Sequence, residues 1–81
     1  MIEARIPCHD TLDTLGLYCP IPVLKLAKKI KDIEVGQVLE VVSDDSGCRR
    51  NIPNWCRVVG HEYLGAFQEE GLFRVYVRRL K

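Results

Sequence analysis

Cys19 stands directly before Pro20, behind the turn residues Gly16-Leu17-Tyr18 and ahead of a run with helical spacing. That order places the thiol at the N-cap or first position of a helix, where unpaired N–H groups and the positive end of the dipole favour an anion over a neutral thiol. Thiols so placed commonly have a depressed pKa, and the thiolate is the reactive form. Pro20 removes one N–H and fixes the direction of the chain, which holds the sulfur outward. The chemistry this allows is nucleophilic attack, or carriage of a second sulfur as a persulfide anion. The competing role is a buried structural cysteine, for which a strand-to-helix turn ending in Cys-Pro is a poor site.

Three further cysteines, Cys8, Cys48 and Cys56, are spaced without any CxxC pair, which argues against a zinc knuckle and leaves reduced thiols as the expectation. Cys48 lies in Ser46-Gly47-Cys48-Arg49-Arg50, the expected first turn of a second helix, and the two arginines can make it acidic. The plain reading is an incidental surface or half-buried thiol. The sharper one is a second sulfur site, or a disulfide with Cys19, which requires Cα atoms within roughly 7 Å. Cys56, beside Trp55, reads as a core residue, since cysteine packs like a small hydrophobe. Cys8-His9 reads as inert, and His61, which opens a later strand, as a structural or surface histidine.

The elements that must position these residues follow from the hydrophobic pattern. Residues 1–10 lack periodicity and read as a loose leader; Thr11 to Leu15 alternates as a first strand should. From Pro20 to about Lys31, Val23, Leu26, Ala27 and Ile30 recur at helical spacing, with Leu24 extending the stripe and lysines on the outer face. Val38 to Val42 is a strand rich in β-branched residues. Asp44-Asp45-Ser46-Gly47 supplies turn and N-cap residues for a helix that reaches about Val59 and stops at Gly60. Pro53 implies either a kink in that helix or a true start near Pro53. Two strands, His61 to Glu69 and Leu72 to Leu80, flank the hairpin turn Glu70-Gly71. In the last of them Phe73, Val75 and Val77 face one way, and Arg74, Tyr76 and Arg78 the other.

The order is β-α-β-α-β-β, an α/β two-layer sandwich with a mixed four-stranded sheet and two helices on one face. Both helix N-termini then emerge at one end of the sheet, where α/β proteins usually place their chemistry. With 81 residues the chain has room for one domain spanning 1–81, and folding buries only about 60–65% of its surface. A deep substrate pocket is therefore not expected, which favours a carrier or adaptor. A formal net charge of +1, with both signs mixed, lacks the positive excess of a protein that lives on nucleic-acid phosphates, so no direct nucleic-acid partner is expected. The start lacks the apolar core of a signal peptide, and no apolar run is long enough for a membrane span. The expectation is a cytoplasmic protein without membrane association.

The stretch Leu15-Gly16-Leu17-Tyr18-Cys19-Pro20-Ile21-Pro22-Val23-Leu24-Lys25 closely resembles the Gly-Leu-x-Cys-Pro-x-Pro signature of the TusA/SirA-like sulfur carrier family. The likeness continues through Gly36, Asp44-Asp45, Arg50-Asn51-Ile52-Pro53 with Trp55, Gly60-His61 and the last strand, so it spans nearly the whole chain. It implies the same β-α-β-α-β-β sandwich, and a protein that accepts sulfane sulfur on Cys19 and passes it on by transpersulfidation. It also implies a cysteine desulfurase or rhodanese-like donor, and an acceptor in tRNA 2-thiouridine synthesis or a sulfur-oxidation relay. No metal or organic cofactor is needed, and a monomer suits a carrier handed between enzymes. The family does not generally require a cysteine at position 48, so Cys48 is a departure.

Pro20, Pro22, Lys25, Arg49 and Arg50 are the expected motif and partner-docking residues around Cys19, because a carrier must present its sulfur to several surfaces and charge steers encounter. A solvated polar surface is the plain alternative for the charged ones. Two other functions compete. A thiol redox protein would cycle a Cys19–Cys48 disulfide, though the missing CxxC argues against a thioredoxin-like reductase. A regulatory or RNA-binding module would work without Cys19, and the lack of an aromatic and basic stripe counts against RNA.

Overall fold

The computed structural model describes residues 8–18 and 21–81. Seven elements follow in order: β1 (Asp10–Asp13), α1 (Ile21–Lys29) running into a 3₁₀ turn (Ile30–Asp32), β2 (Val38–Ser43), α2 (Cys48–Val59), β3 (Glu62–Glu69) and β4 (Leu72–Arg78). The sheet order is β1-β2-β4-β3, with β1 parallel to β2 and the other pairs antiparallel. This is the expected mixed sheet with two helices.

β2 sits between two partners and is buried along its whole length, as its β-branched composition requires. The core lies between its helix-side residues Leu39 and Val41, Val75 and Val77 of β4, and a layer made by Leu26, Ile30 and Ile33 with Cys48, Ile52 and Cys56 of α2. Both helices therefore cover the same face. In α1 the apolar stripe runs through Pro22, Leu26 and Ile30, whereas Leu24 is exposed and does not extend it. A register shift between Tyr63 and Gly65 in β3 keeps Tyr63 and Ala66 both packed on the core, as an extra residue in one strand resets the alternation of side chains.

Two local expectations are corrected. First, β1 starts earlier than Thr11, and the reading of a loose leader does not hold through Asp10. His9 is already tied to β2 at both ends of Val38: its N–H donates to the Val38 carbonyl at 2.8 Å, and its Nδ1 accepts the Val38 N–H at 3.0 Å. The rest of the predicted leader, residues 1–7, lies outside the described residues.

Second, α2 is one continuous helix with Pro53 inside it. The residue preceding it is Gly47, which has no side chain to cap the helix; Asp45 instead accepts the Gly47 N–H at 3.1 Å, and Ser43 accepts the Asp45 N–H at 3.0 Å. The polar residues thus shape the turn rather than cap the helix. At the other end Gly60, at φ 91°, closes α2 with its N–H on the Cys56 carbonyl, a left-handed stop that a glycine adopts without steric cost.

Tyr76 alternates with the core-facing residues as expected, and it is fully buried on the face without helices. Its hydroxyl donates to Glu40 at 2.5 Å, and the same carboxylate accepts from Thr11 at 3.1 Å and lies 3.5 Å from Arg74. A buried carboxylate is tolerable only with such partners. Burial, then the Glu40 hydrogen bond, push the Tyr76 phenol well above its ordinary pKa.

Candidate functional site

The C-terminal ends of β1 and β2 lie side by side, and from them two turns lead into the two helices. Thr14 closes the strand pair: its N–H and its hydroxyl both reach the Val42 carbonyl, at 2.8 and 2.7 Å. The next turn is held by carboxylates, with the Leu15 N–H on Asp13 at 2.9 Å and the Gly16 N–H on Asp44 at 3.2 Å. The second of these bonds joins the turn before α1 to the turn before α2. Gly16 adopts φ 79° with open space around it, so conformation rather than crowding calls for glycine there. The Ile21 N–H then donates to the Tyr18 carbonyl at 2.9 Å as α1 begins.

Cys19 and Pro20 lie outside the described residues, bracketed by these positions. Pro22 is fully buried in the first turn of α1 and anchors the helix start. That turn holds no acidic residue, so no carboxylate in it offsets the positive end of the helix dipole. Leu15, Tyr18, Ile21 and Leu24 are all exposed, Tyr18 by 74%. These four apolar side chains precede and follow Cys19 at intervals of three, a feature that sequence reasoning missed. The signal was available: large apolar residues crowd the turn and the helix start beyond those the core stripe of α1 uses.

Cys48 is the first residue of α2 and is 1% exposed, inside the core rather than on the surface. Its Sγ donates to the Ser43 hydroxyl at 3.2 Å. Cys56 is buried two turns further along the same face of α2, and desolvation pushes its thiol up to about 11. Cys8 is exposed. Arg49 and Arg50 are exposed at the entry of α2 and line one shallow depression with Ser46, Gly47 and Asn51; the Arg49 guanidinium lies over the Phe73 ring at 5.7 Å. Lys25 lines a different depression with Leu12, Lys28, Lys29 and Asp32. Arg49 and Arg50 thus share one depression, and Lys25 lines another. His61 packs against Trp55 at 5.4 Å between ring centres, and its Nδ1 accepts the Leu80 N–H at 3.2 Å, which gives it the expected structural role.

Comparison with known proteins places this arrangement. The model of the family described as sulfurtransferase TusA matches residues 10–79. The sulfur carrier protein TusA of Pseudomonas entomophila is 43% identical over 72 residues, covering 88% of this chain and 90% of that protein. Its counterpart in Pseudomonas syringae is 41% identical over 68 residues, covering 84% and 81%. The crystal structure of a SirA-like protein from Desulfitobacterium hafniense superposes with a TM-score of 0.72 at 30% identity, covering 90% of this chain and all of that one.

Proposed function

The chain belongs to the TusA sulfurtransferase family, and from that premise we propose that it is a sulfur carrier whose working group is the Cys19 thiolate. In the loading step this thiolate attacks the outer sulfur of a donor persulfide; the new S–S bond makes Cys19–S–SH, and the donor leaves as its thiolate. In the unloading step an acceptor thiolate attacks the terminal sulfur of Cys19–S–SH and releases the Cys19 thiolate. The sulfane sulfur moves without net oxidation, so no cofactor enters either step. The donor is a cysteine desulfurase or rhodanese-like protein, and the acceptor belongs to tRNA 2-thiouridine synthesis or to a sulfur-oxidation relay. The carrier acts in the cytoplasm as a monomeric single domain.

The observation that carries this reading is the family match, which runs through the Gly16-Leu17-Tyr18-Cys19-Pro20-Ile21-Pro22 signature with the fold intact around it. The surroundings support it. The turn before Cys19 is braced by Asp13 and Asp44, and Pro22 fixes the start of the helix behind it. The exposed Leu15, Tyr18, Ile21 and Leu24 offer an apolar surface on which a donor or acceptor can seat, with Lys25, Arg49 and Arg50 adding positive charge. Cys48 is the candidate second thiol, as a sulfur site or a disulfide partner of Cys19. Its burial and its bond to Ser43 favour a packing role instead.

Intact mass spectrometry after incubation with a cysteine desulfurase and cysteine tests the proposal. The expected result is a gain of about 32 Da per sulfur, removed by a reductant, retained in Cys48→Ser and absent from Cys19→Ser. A wild-type chain that gains no mass from any persulfide or polysulfide donor ends the carrier reading. Loss of the gain in Cys48→Ser as well would replace it with a two-cysteine relay.

A further inference from the structure

The end of the sheet opposite the Cys19 turn carries a second feature that sulfur transfer does not use. Val38, Arg78 and Glu62 stand level across the sheet, and beyond them the tails of α1, α2 and β4 enclose a cavity of about 270 Å³. Lys31, Arg79 and Lys81 line it on the charged side, and Trp55 and His61 provide an aromatic wall. Ala27, Ile30 and Val59 complete the apolar part. No carboxylate side chain lines the cavity. Among the described residues none of the three cations is within ion-pair distance of a carboxylate side chain.

Helix C-termini attract cations, and the Lys81 side chain does approach Gly60 at the end of α2. The field at the cavity is positive all the same: the His61 pKa is held below its ordinary value, by burial first and then by Arg79 and Lys81. The imidazole is therefore neutral near pH 7. Because Nδ1 accepts the Leu80 N–H, its proton sits on Nε2.

The donor geometry decides between anions. Arg79 donates Nε to the Lys81 main-chain oxygen, and Nη1 to the carbonyls of Ile33 and Lys31. Neither side of the guanidinium fork remains whole, so bidentate capture of a carboxylate is not available. What remains is the Nη2 group of Arg79, held in place by those bonds, with two lysine ammonium groups as point charges. That set suits a tetrahedral phosphate, which takes single hydrogen bonds from several directions. The indole and imidazole beside it supply the surface on which a planar base stacks.

We propose that this cavity, between the tails of α1, α2 and β4, binds a mononucleotide, with the phosphate on Lys31, Arg79 and Lys81 and the base against Trp55 and His61. The site lies at the other end of the sheet from the turn formed by residues 14–18, so nucleotide binding and the proposed sulfur loading are compatible on one molecule.

Trp55 is the single tryptophan of the chain, so its fluorescence reports occupancy directly. Titration with AMP, adenosine and inorganic phosphate at moderate salt is expected to give saturable quenching by AMP, with adenosine and phosphate each at least about tenfold weaker, the loss that follows from removing a charge-assisted contact or a stacked base. Lys81→Glu weakens AMP at least about tenfold, whereas Arg57→Glu, a charge reversal on the exposed side of α2, leaves it unchanged. Circular dichroism checks that both variants fold, and the mass-shift assay on Lys81→Glu reads sulfur loading independently. Absence of saturable quenching by AMP overturns the proposal. So does equal binding of phosphate and AMP, or equal weakening by Lys81→Glu and Arg57→Glu.

Discussion

β1 and β2 are parallel neighbours in register at Asp13 and Val42, and each leads to a cysteine five residues past the next level pair, Thr14 and Ser43. The surroundings of the two cysteines differ sharply. Before Cys19 the turn spreads outward, and Leu15, Tyr18 and Ile21 around it are exposed. Before Cys48 the turn folds inward; Ser43 is fully buried, and Cys48 at the start of α2 meets its hydroxyl. The described residues beside the first cysteine are thus exposed, whereas the second cysteine is itself packed. A helix N-terminus lowers the pKa of a thiol only as far as burial does not raise it. On the proposed function, local sequence sets the opportunity for chemistry at both helix entries, and packing withdraws Cys48 from it.

Loading itself gives the largest break in this comparison. Cys19→Ser reduces persulfide gain to background, while Cys48→Ser still gains one sulfur, read by intact mass. The converse effect falls on stability. Cys48→Ala removes a buried sulfur and its contact with Ser43, and is expected to lower unfolding free energy by about 1–2 kcal/mol in urea titration, with loading intact in the folded protein. On the proposed role of Cys19 as an accessible thiol, Cys19→Ala is expected to shift it by less than about 0.5 kcal/mol.

A smaller effect tests the exposed apolar residues. Tyr18→Ala or Leu24→Ser should slow sulfur transfer from a protein donor severalfold while leaving loading by a small polysulfide unchanged, because only a protein partner needs that surface. Stopped-flow or quenched mass measurements separate the two donors.

The smallest effect lies far from both junctions, at His61. Its folded-state pKa is lowered, so below the ordinary value of about 6.5 the unfolded chain binds more protons than the folded one, and stability falls as pH drops through that window. His61→Phe should flatten this slope in denaturation curves measured between about pH 7 and pH 5. An unchanged slope would show that other groups carry it.

Much of the architecture is legible in the sequence. The helical spacing of Leu26 and Ile30, the β-branched run Val38 to Val42, the Gly60 stop and the Glu70-Gly71 hairpin all lie where their local chemistry places them, because periodicity and turn preference act over a few residues. Three features were not legible locally. Leu24 is apolar at a spacing compatible with the core stripe, yet α1 leaves it in solvent. Tyr76 alternates away from the core, yet it is buried because Glu40 on the neighbouring strand offers its hydroxyl a partner. Pro53 stays within an unbroken helix because Ile52 and Cys56 on either side are locked into the core.

The sequence by itself determined the element order, the family signature around Cys19 and the identity of the one thiol set before a proline at a helix entry. These depend on neighbours a few residues apart, so no distant contact is needed to read them. Only the tertiary structure decided that Cys48 is enclosed and that Tyr76 shares a carboxylate with Thr11. It also brought Lys31, Trp55, His61, Arg79 and Lys81 to one cavity. Burial and convergence depend on which strands become neighbours, and that pairing is settled by the shared core rather than by any local stretch of chain.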